Sequence, residues 1–120
     1  MVQTVSAAAD PPSYRPPATQ NCSAAEWVVP ANGANPRAAH AVAVPYLTLW
    51  GLVTGGWQLG RGALAAQKHL TAGFGDARFL VAKIQTARFY ADGLLPTAAG
   101  LAQAVTASGD ATVALAAEQF

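Results

Sequence analysis

Along the middle of this chain, apolar residues recur at helical rather than strand spacing. Tyr46, Trp50, Val53, Trp57 and Leu64 follow steps of 4, 3, 4 and 7, which sets them along one side of a helix. Leu49, Leu52 and Leu59 widen that stripe until the segment Arg37–Leu70 is apolar on most sides. Gly51, Gly55, Gly56, Gly60 and Gly62 interrupt it. Each glycine costs about 0.8–1 kcal/mol relative to alanine in a helix interior. The sum, roughly 4–5 kcal/mol, calls for a compensating gain, and close backbone packing against a neighbouring helix is the natural source. After a break at Thr71–Gly75, Asp76 stands where a helix N-cap is wanted, its carboxylate facing the first-turn amides. Leu80, Ile84, Ala87, Ala91 and Leu94/Leu95 then form one stripe, with Phe79 and Tyr90 beside it, and Lys83, Gln85, Arg88 and Asp92 lie opposite.

The flanking segments are weaker. Pro11, Pro12, Pro16 and Pro17 crowd the start, and proline fixes φ and removes a backbone donor. Residues 1–22 therefore read as a disordered, Pro-rich lead-in, with no basic region or apolar run of a secretory signal. Ser23 and Glu26 have capping-box spacing, which predicts a short helix over Ser23–Val29, stopped by Pro30 and Asn32-Gly33. Asn35-Pro36 opens the next element. Near the end, Pro96 separates helices, Ala98, Leu101 and Val105 share a face, and Ser108-Gly109 predicts a stop. Asp110 then caps a last short helix over Ala111–Gln119. No stretch alternates as a strand does. The expected class is all-α: a small up-and-down helical bundle over 23–120 behind the lead-in.

Composition narrows the functions. Among 120 residues, 52% are hydrophobic and 11% charged, with a formal net charge of +1. That balance lacks the basic face of a nucleic-acid binder. A single cysteine, Cys22, excludes an internal disulfide and any multi-cysteine metal centre. His40 and His69 are far apart and have no thiolate or carboxylate at ligand spacing, so no metal site is expected. Gly55-x4-Gly60 has P-loop spacing, but Arg61-Gly62 stands where Lys-Ser/Thr is required. Gly60-x-Gly62-x-x-Ala65 has a dinucleotide-like spacing with no strand before it. Glu26, Asp76, Asp92, Asp110 and Glu118 read as caps or solvated groups, and no nucleophile sits beside a base. No catalytic, cofactor-binding or metal residue is assigned.

Two settings suit so apolar a chain. One is a transmembrane span near residues 41–60, which are uncharged and carry the small-x3-small pairs Gly51/Gly55 and Gly56/Gly60. Pro45, Thr48, Thr54 and Gln58 speak against it. The other is a buried piece of a larger assembly.

The residues favour the second through a resemblance. Pro45-Tyr-Leu-x-Leu-x-Gly-Leu-Val-x-Gly-Gly-Trp-Gln-Leu-x-Arg-x-Ala-Leu-Ala-Ala-Gln67, Phe79-Leu-x-Ala-Lys83 and Thr86-Ala-Arg-Phe-Tyr-Ala-Asp-x-Leu-Leu-Pro96 resemble the acetyl-CoA dehydrogenase-like C-terminal domain. This module occurs in the acyl-CoA dehydrogenase branch that includes 3-methylmercaptopropionyl-CoA dehydrogenase. Ala114-Leu-x-x-Glu-x-Phe120 resembles its end. The resemblance implies that full-length members are FAD-dependent oxidoreductases acting on acyl-CoA thioesters, in the realm of fatty acid metabolism. It places the flavin domains and the catalytic glutamate upstream of this module, so this chain is not expected to catalyse alone. It implies partners in dehydrogenase core domains or a second subunit, with homo-oligomers in view, and a cytoplasmic setting. Under it, Tyr46, Trp50, Gly55, Gly56, Trp57, Arg61, Arg88 and Tyr90 are the expected packing and interface residues. The unrelated lead-in after Met1 suggests a gene remnant or an excised domain.

Overall fold

A computed structural model describes residues 16–119 of the chain, and in that range it is all-helical. Five α-helices follow one another: α1 (Pro17–Ala34), α2 (Pro36–Ala41), α3 (Ala43–Thr71), α4 (Ala77–Gly93) and α5 (Ala98–Val113). Single 3-10 turns lie at Leu95–Thr97 and Ala117–Gln119. The expected lead-in lies outside the described residues over 1–15. From Pro17 onward it is corrected, because Pro17 occupies the first helical position, where a missing N–H is harmless. The expected stop at Pro30 is corrected too: α1 runs through it to Ala34. Pro30 is exposed, so its lost donor faces water rather than the core.

One expected helix is two. Asn35 caps α2 by accepting from the Ala38 N–H at 3.4 Å. The chain then leaves helical geometry at Val42 (φ −99°, ψ 7°) before α3 begins. Pro45 supplies the reason, since it cannot donate to the carbonyl of Ala41 and its ring crowds that carbonyl. At the far end of α3 the backbone closes in a Schellman arrangement. Phe74 N–H reaches His69 C=O at 3.0 Å and Gly73 N–H reaches Leu70 C=O at 3.1 Å. Gly73 takes φ +66°, which glycine adopts without strain. Asp76 then caps α4, accepting from Arg78 N–H at 2.9 Å.

The 29-residue α3 is the spine, about 44 Å long at 1.5 Å per residue. Helix α4 packs against its upper half, with the Tyr90 hydroxyl donating to Leu52 C=O at 2.8 Å. Below the turn at Leu95–Thr97, α5 continues down the lower half of α3, and α1 and α2 close around it. Ala24, Val42, Leu49, Ala98, Ala102 and Val105 form the buried core there, with Trp27, Tyr46 and Val53 packed on it. Leu49, Val42 and Val105 are its largest fully buried side chains, each contributing about 1.5–3 kcal/mol by burial. The α5 helix does not stop at Ser108-Gly109 as the sequence predicts. Gly109 is buried in its interior, and a methyl group added there would sit 2.5 Å from the Trp27 ring and 3.1 Å from Ala38 C=O. That glycine marks a close meeting of α1, α2 and α5, and the sequence position of a stop serves instead as a contact.

A four-helix head and a two-helix arm result. The described residues measure 67 × 34 × 24 Å with a radius of gyration of 19.7 Å, against about 13 Å for a compact domain of that length. No helix among the described residues is long and apolar enough to cross a membrane. The span near 41–60 is thereby overturned: the segment is broken at Val42 and diluted by glycine and polar residues.

Candidate functional site

The eight expected packing residues separate into an inner joint and an outer face. At the joint, Gly55 and Gly56 let α4 and the following turn close onto α3. A methyl group on Gly55 would lie 2.7 Å from the Tyr90 hydroxyl, and one on Gly56 would lie 2.8 Å from Leu95. Gly55, Gly56 and Tyr90 therefore do what glycine and tyrosine do at a tight helix crossing. Around Gly51, Gly60 and Gly62, by contrast, nothing lies within 4 Å of an added methyl. Close packing inside the chain accounts for two of the five glycines of α3 and leaves these three unexplained by it.

The outer face runs along α3. Tyr46 and Trp50 meet edge to face, centroids 6.3 Å apart at 85°. Tyr46 is half-buried against the head, but Trp50 is 42% exposed and Trp57 is 60% exposed. Within this chain both indoles, expected as packing or interface residues, face outward. The Arg61 guanidinium lies over the Trp57 ring at 4.8 Å, a contact that holds both side chains along the surface. Arg88 is exposed on α4.

Two grooves flank the arm. One, of about 280 Å³, is lined by Gln58, Leu59, Ala63, Phe79, Lys83 and Thr86, with Lys83 over the Phe79 ring at 5.3 Å. The other, of about 570 Å³, follows Trp57, Gly60, Arg61, Leu64 and Gln67 of α3, with Ile84 of α4 opposite. Sequence reasoning placed Leu64 on the α3 stripe but did not single out Leu64, Gln67 or Ile84 as site residues. It also missed the Trp27–Gly109 contact. The signal for the first group was present in the recurrence of Trp50, Trp57 and Leu64 at seven-residue steps.

The linings of the two grooves contain no His, Cys, Asp or Glu. Among the described residues no three His, Cys, Asp or Glu side chains gather to hold a metal ion. Cys22 is a free, exposed thiol. A dinucleotide such as FAD would need glycine-loop amides or a helix N-terminus turned to its phosphates. Gly55, Gly60 and Gly62 lie inside α3, their amides within the helical run, so these three glycines form no phosphate-cradling loop.

A family model described as acetyl-CoA dehydrogenase C-terminal like matches residues 18–116. The chain is 45% identical over 78 residues to 3-methylmercaptopropionyl-CoA dehydrogenase of Ruegeria pomeroyi, covering 65% of this chain and 13% of that protein. The chain thus spans about an eighth of the curated relative it matches. No solved structure matches.

Proposed function

We propose, from the premise that this chain belongs to the acetyl-CoA dehydrogenase C-terminal-like family, that it is the helical packing and assembly domain of an FAD-dependent acyl-CoA dehydrogenase. The helical unit from Pro17 onward binds the dehydrogenase core, or a second subunit, through the outer face of α3 and α4. It supplies shape and apolar surface rather than a reacting group. The base and the flavin belong to the core, and the working compartment is the cytoplasm, where such a core acts.

The observation that carries this reading is the outward stripe of α3. Trp50, Trp57 and Leu64 recur at seven-residue steps, and Trp57 and Leu64 are 60% and 68% exposed. An apolar stripe of that regularity on a polar-rimmed surface marks an interaction site. Arg61 and Arg88 are the polar contacts at its edge.

The test is reconstitution. The purified chain is mixed with a flavin-containing acyl-CoA dehydrogenase core from which the equivalent C-terminal region has been removed. Co-elution of the two and a rise in the core's Tm are expected, with dye-linked acyl-CoA oxidation confined to fractions that contain the core. Absence of any association, or flavin-dependent oxidation by the 120-residue chain alone, overturns the reading.

A further inference from the structure

The stripe on α3 has two halves with different fates. Steps of 4 and 3 carry it through Tyr46, Trp50, Val53, Trp57, Gly60 and Leu64, the seam spacing of a helix packed against a parallel or antiparallel neighbour. In the lower half the seam is used: Tyr46 and Val53 pack on the core that α1 and α5 contribute. Above Val53 the same seam continues without a covering helix. There it becomes the groove lined by Trp57, Gly60, Arg61, Leu64, Gln67 and Ile84. The floor is apolar, and Gly60, with nothing within 4 Å of an added methyl, leaves room for a helix to approach closely.

The arm that carries this groove is net positive. Arg61 lines the groove. Lys68 stands one turn beyond Leu64 on the same side of α3, and Arg88 is exposed on α4. From Ala43 to Gly93 the cations are Arg61, Lys68, Arg78, Lys83 and Arg88. The acids there are Asp76, which caps α4, and Asp92, a turn past Arg88.

Resting on the assembly reading above, we propose that this upper groove seats an amphipathic helix of a second polypeptide whose apolar stripe is flanked by acidic residues. The helix continues the α3 seam where α1 and α5 leave it, with its carboxylates against Arg61 and Lys68. Charge decides against a second copy of α3. Two-fold pairing about Gly60 sets each Arg61 against its own counterpart, whereas acidic flanks meet Arg61 and Lys68 along the α3 rim.

A synthetic peptide of about three heptads, with leucine at the seam positions and glutamate beside them, is titrated into the full chain. A second peptide, identical but with lysine in place of glutamate, is its counterpart. Anisotropy of the labelled peptide and the indole emission of the chain report binding. The glutamate peptide is expected to bind and shift the emission to the blue, with the lysine peptide at least tenfold weaker. Leu64→Asp is expected to weaken binding at least tenfold. Because Leu64 is exposed, the variant should keep the helical content of the parent, checked by circular dichroism. The double variant Arg61→Glu with Lys68→Glu is expected to prefer the lysine peptide.

Equal binding of both peptides, or full binding by Leu64→Asp, overturns the proposal. So does a dimer of the parent chain that Leu64→Asp dissolves, which would make a second copy the occupant. Binding to phosphatidylglycerol vesicles with the same Leu64 dependence and no peptide preference would make it a lipid surface and likewise overturn it. The core-association assay separates this inference from its premise. Core binding that ignores Leu64→Asp and Arg61→Glu defeats the groove alone, and failure of the parent chain to bind the core defeats the assembly reading.

Discussion

Replacing Gly109 by alanine tests how closely the head is packed, because two effects of opposite sign meet at that position. Alanine in a helix interior is about 1 kcal/mol better than glycine, and Gly109 lies well inside α5. The new methyl, however, would stand 2.5 Å and 3.2 Å from two atoms of the Trp27 ring and 3.1 Å from Ala38 C=O. One obstacle is a rigid indole and the other is backbone, so neither yields as the tip of a flexible side chain would. Overpacking of this kind costs about 1–3 kcal/mol, and at the upper end here since both neighbours are stiff. The net expectation for Gly109→Ala is a loss of about 1–2 kcal/mol. At an unfolding entropy of about 2.1 cal/mol/K per residue, 1 kcal/mol moves the Tm of such a chain by about 4 °C. The variant should therefore melt roughly 4–8 °C below the parent. Gly51→Ala is the control: it is also mid-helix, but nothing lies within 4 Å of its added methyl. It should gain about 0.5–1 kcal/mol and melt a few degrees higher. Trp27→Phe removes the outer ring atoms that the methyl meets, so in that background most of the cost of Gly109→Ala should vanish, a coupling of about 1 kcal/mol or more. Thermal unfolding followed by circular dichroism gives all the required values. A Gly109→Ala variant that melts above the parent, as Gly51→Ala does, refutes the packing of α1 and α2 onto α5 described above.

Three further substitutions probe single contacts. Tyr90→Phe deletes the hydroxyl that donates to Leu52 C=O at 2.8 Å and should cost about 0.5–1.5 kcal/mol in urea unfolding; an unchanged midpoint would mean that the bond to α3 contributes nothing. Asn21 is 5% exposed and its Oδ1 accepts no hydrogen bond among the described residues, a burial that costs about 1–3 kcal/mol, so Asn21→Leu should be neutral or stabilising. Destabilisation of that variant by more than about 1 kcal/mol would show that the amide is satisfied after all. Asp76→Ala removes the acceptor for Arg78 N–H and should cost about 1 kcal/mol, with hydrogen exchange faster in the first turn of α4 and unchanged in the head; uniform acceleration throughout would contradict a local capping role.

Helix type and the larger breaks were legible in the residues. Asp76 as a cap, the glycine-flanked turn around Phe74 and the inward face of α4 from Leu80 through Ile84 to Ala87 follow directly from spacing and side-chain chemistry. The misjudged boundaries share one cause. Pro30, Asn32-Gly33 and Ser108-Gly109 are stop signals when only the local backbone is weighed, yet the structure keeps all of them helical. Gly109 is helical because Trp27 and Ala38 press on it from other helices, and such tertiary contacts leave no trace in local propensity. Pro17 was misread for the opposite reason, since a cluster of prolines looks irregular although one of them can begin a helix. The division of α3 into covered and uncovered halves was beyond reach of any pattern. Tyr46 and Trp57 occupy the same stripe, and only the place where α5 begins distinguishes them.

The distribution of side-chain size ties these observations together. Inside, six of the buried apolar residues are Ala24, Ala38, Ala39, Ala66, Ala98 and Ala102, which let helices approach closely but each remove little apolar surface from water. Outside stand Trp57, Leu64, Phe79 and Phe89, all more than half exposed. Burial of a large apolar side chain contributes about 1.5–3 kcal/mol, so much of the apolar free energy encoded in this chain is not realised by its own fold. A domain selected to be stable alone would place those residues the other way round. Small residues within and large ones without is the arrangement that the proposed assembly role requires. The elongated shape agrees, since the two-helix arm carries Trp57, Leu64, Phe79 and Phe89 beyond the reach of the head. On this argument the 52% hydrophobic content is divided between a tight, alanine-lined interior and an exterior surface on the arm, the surface that the proposed assembly role would cover.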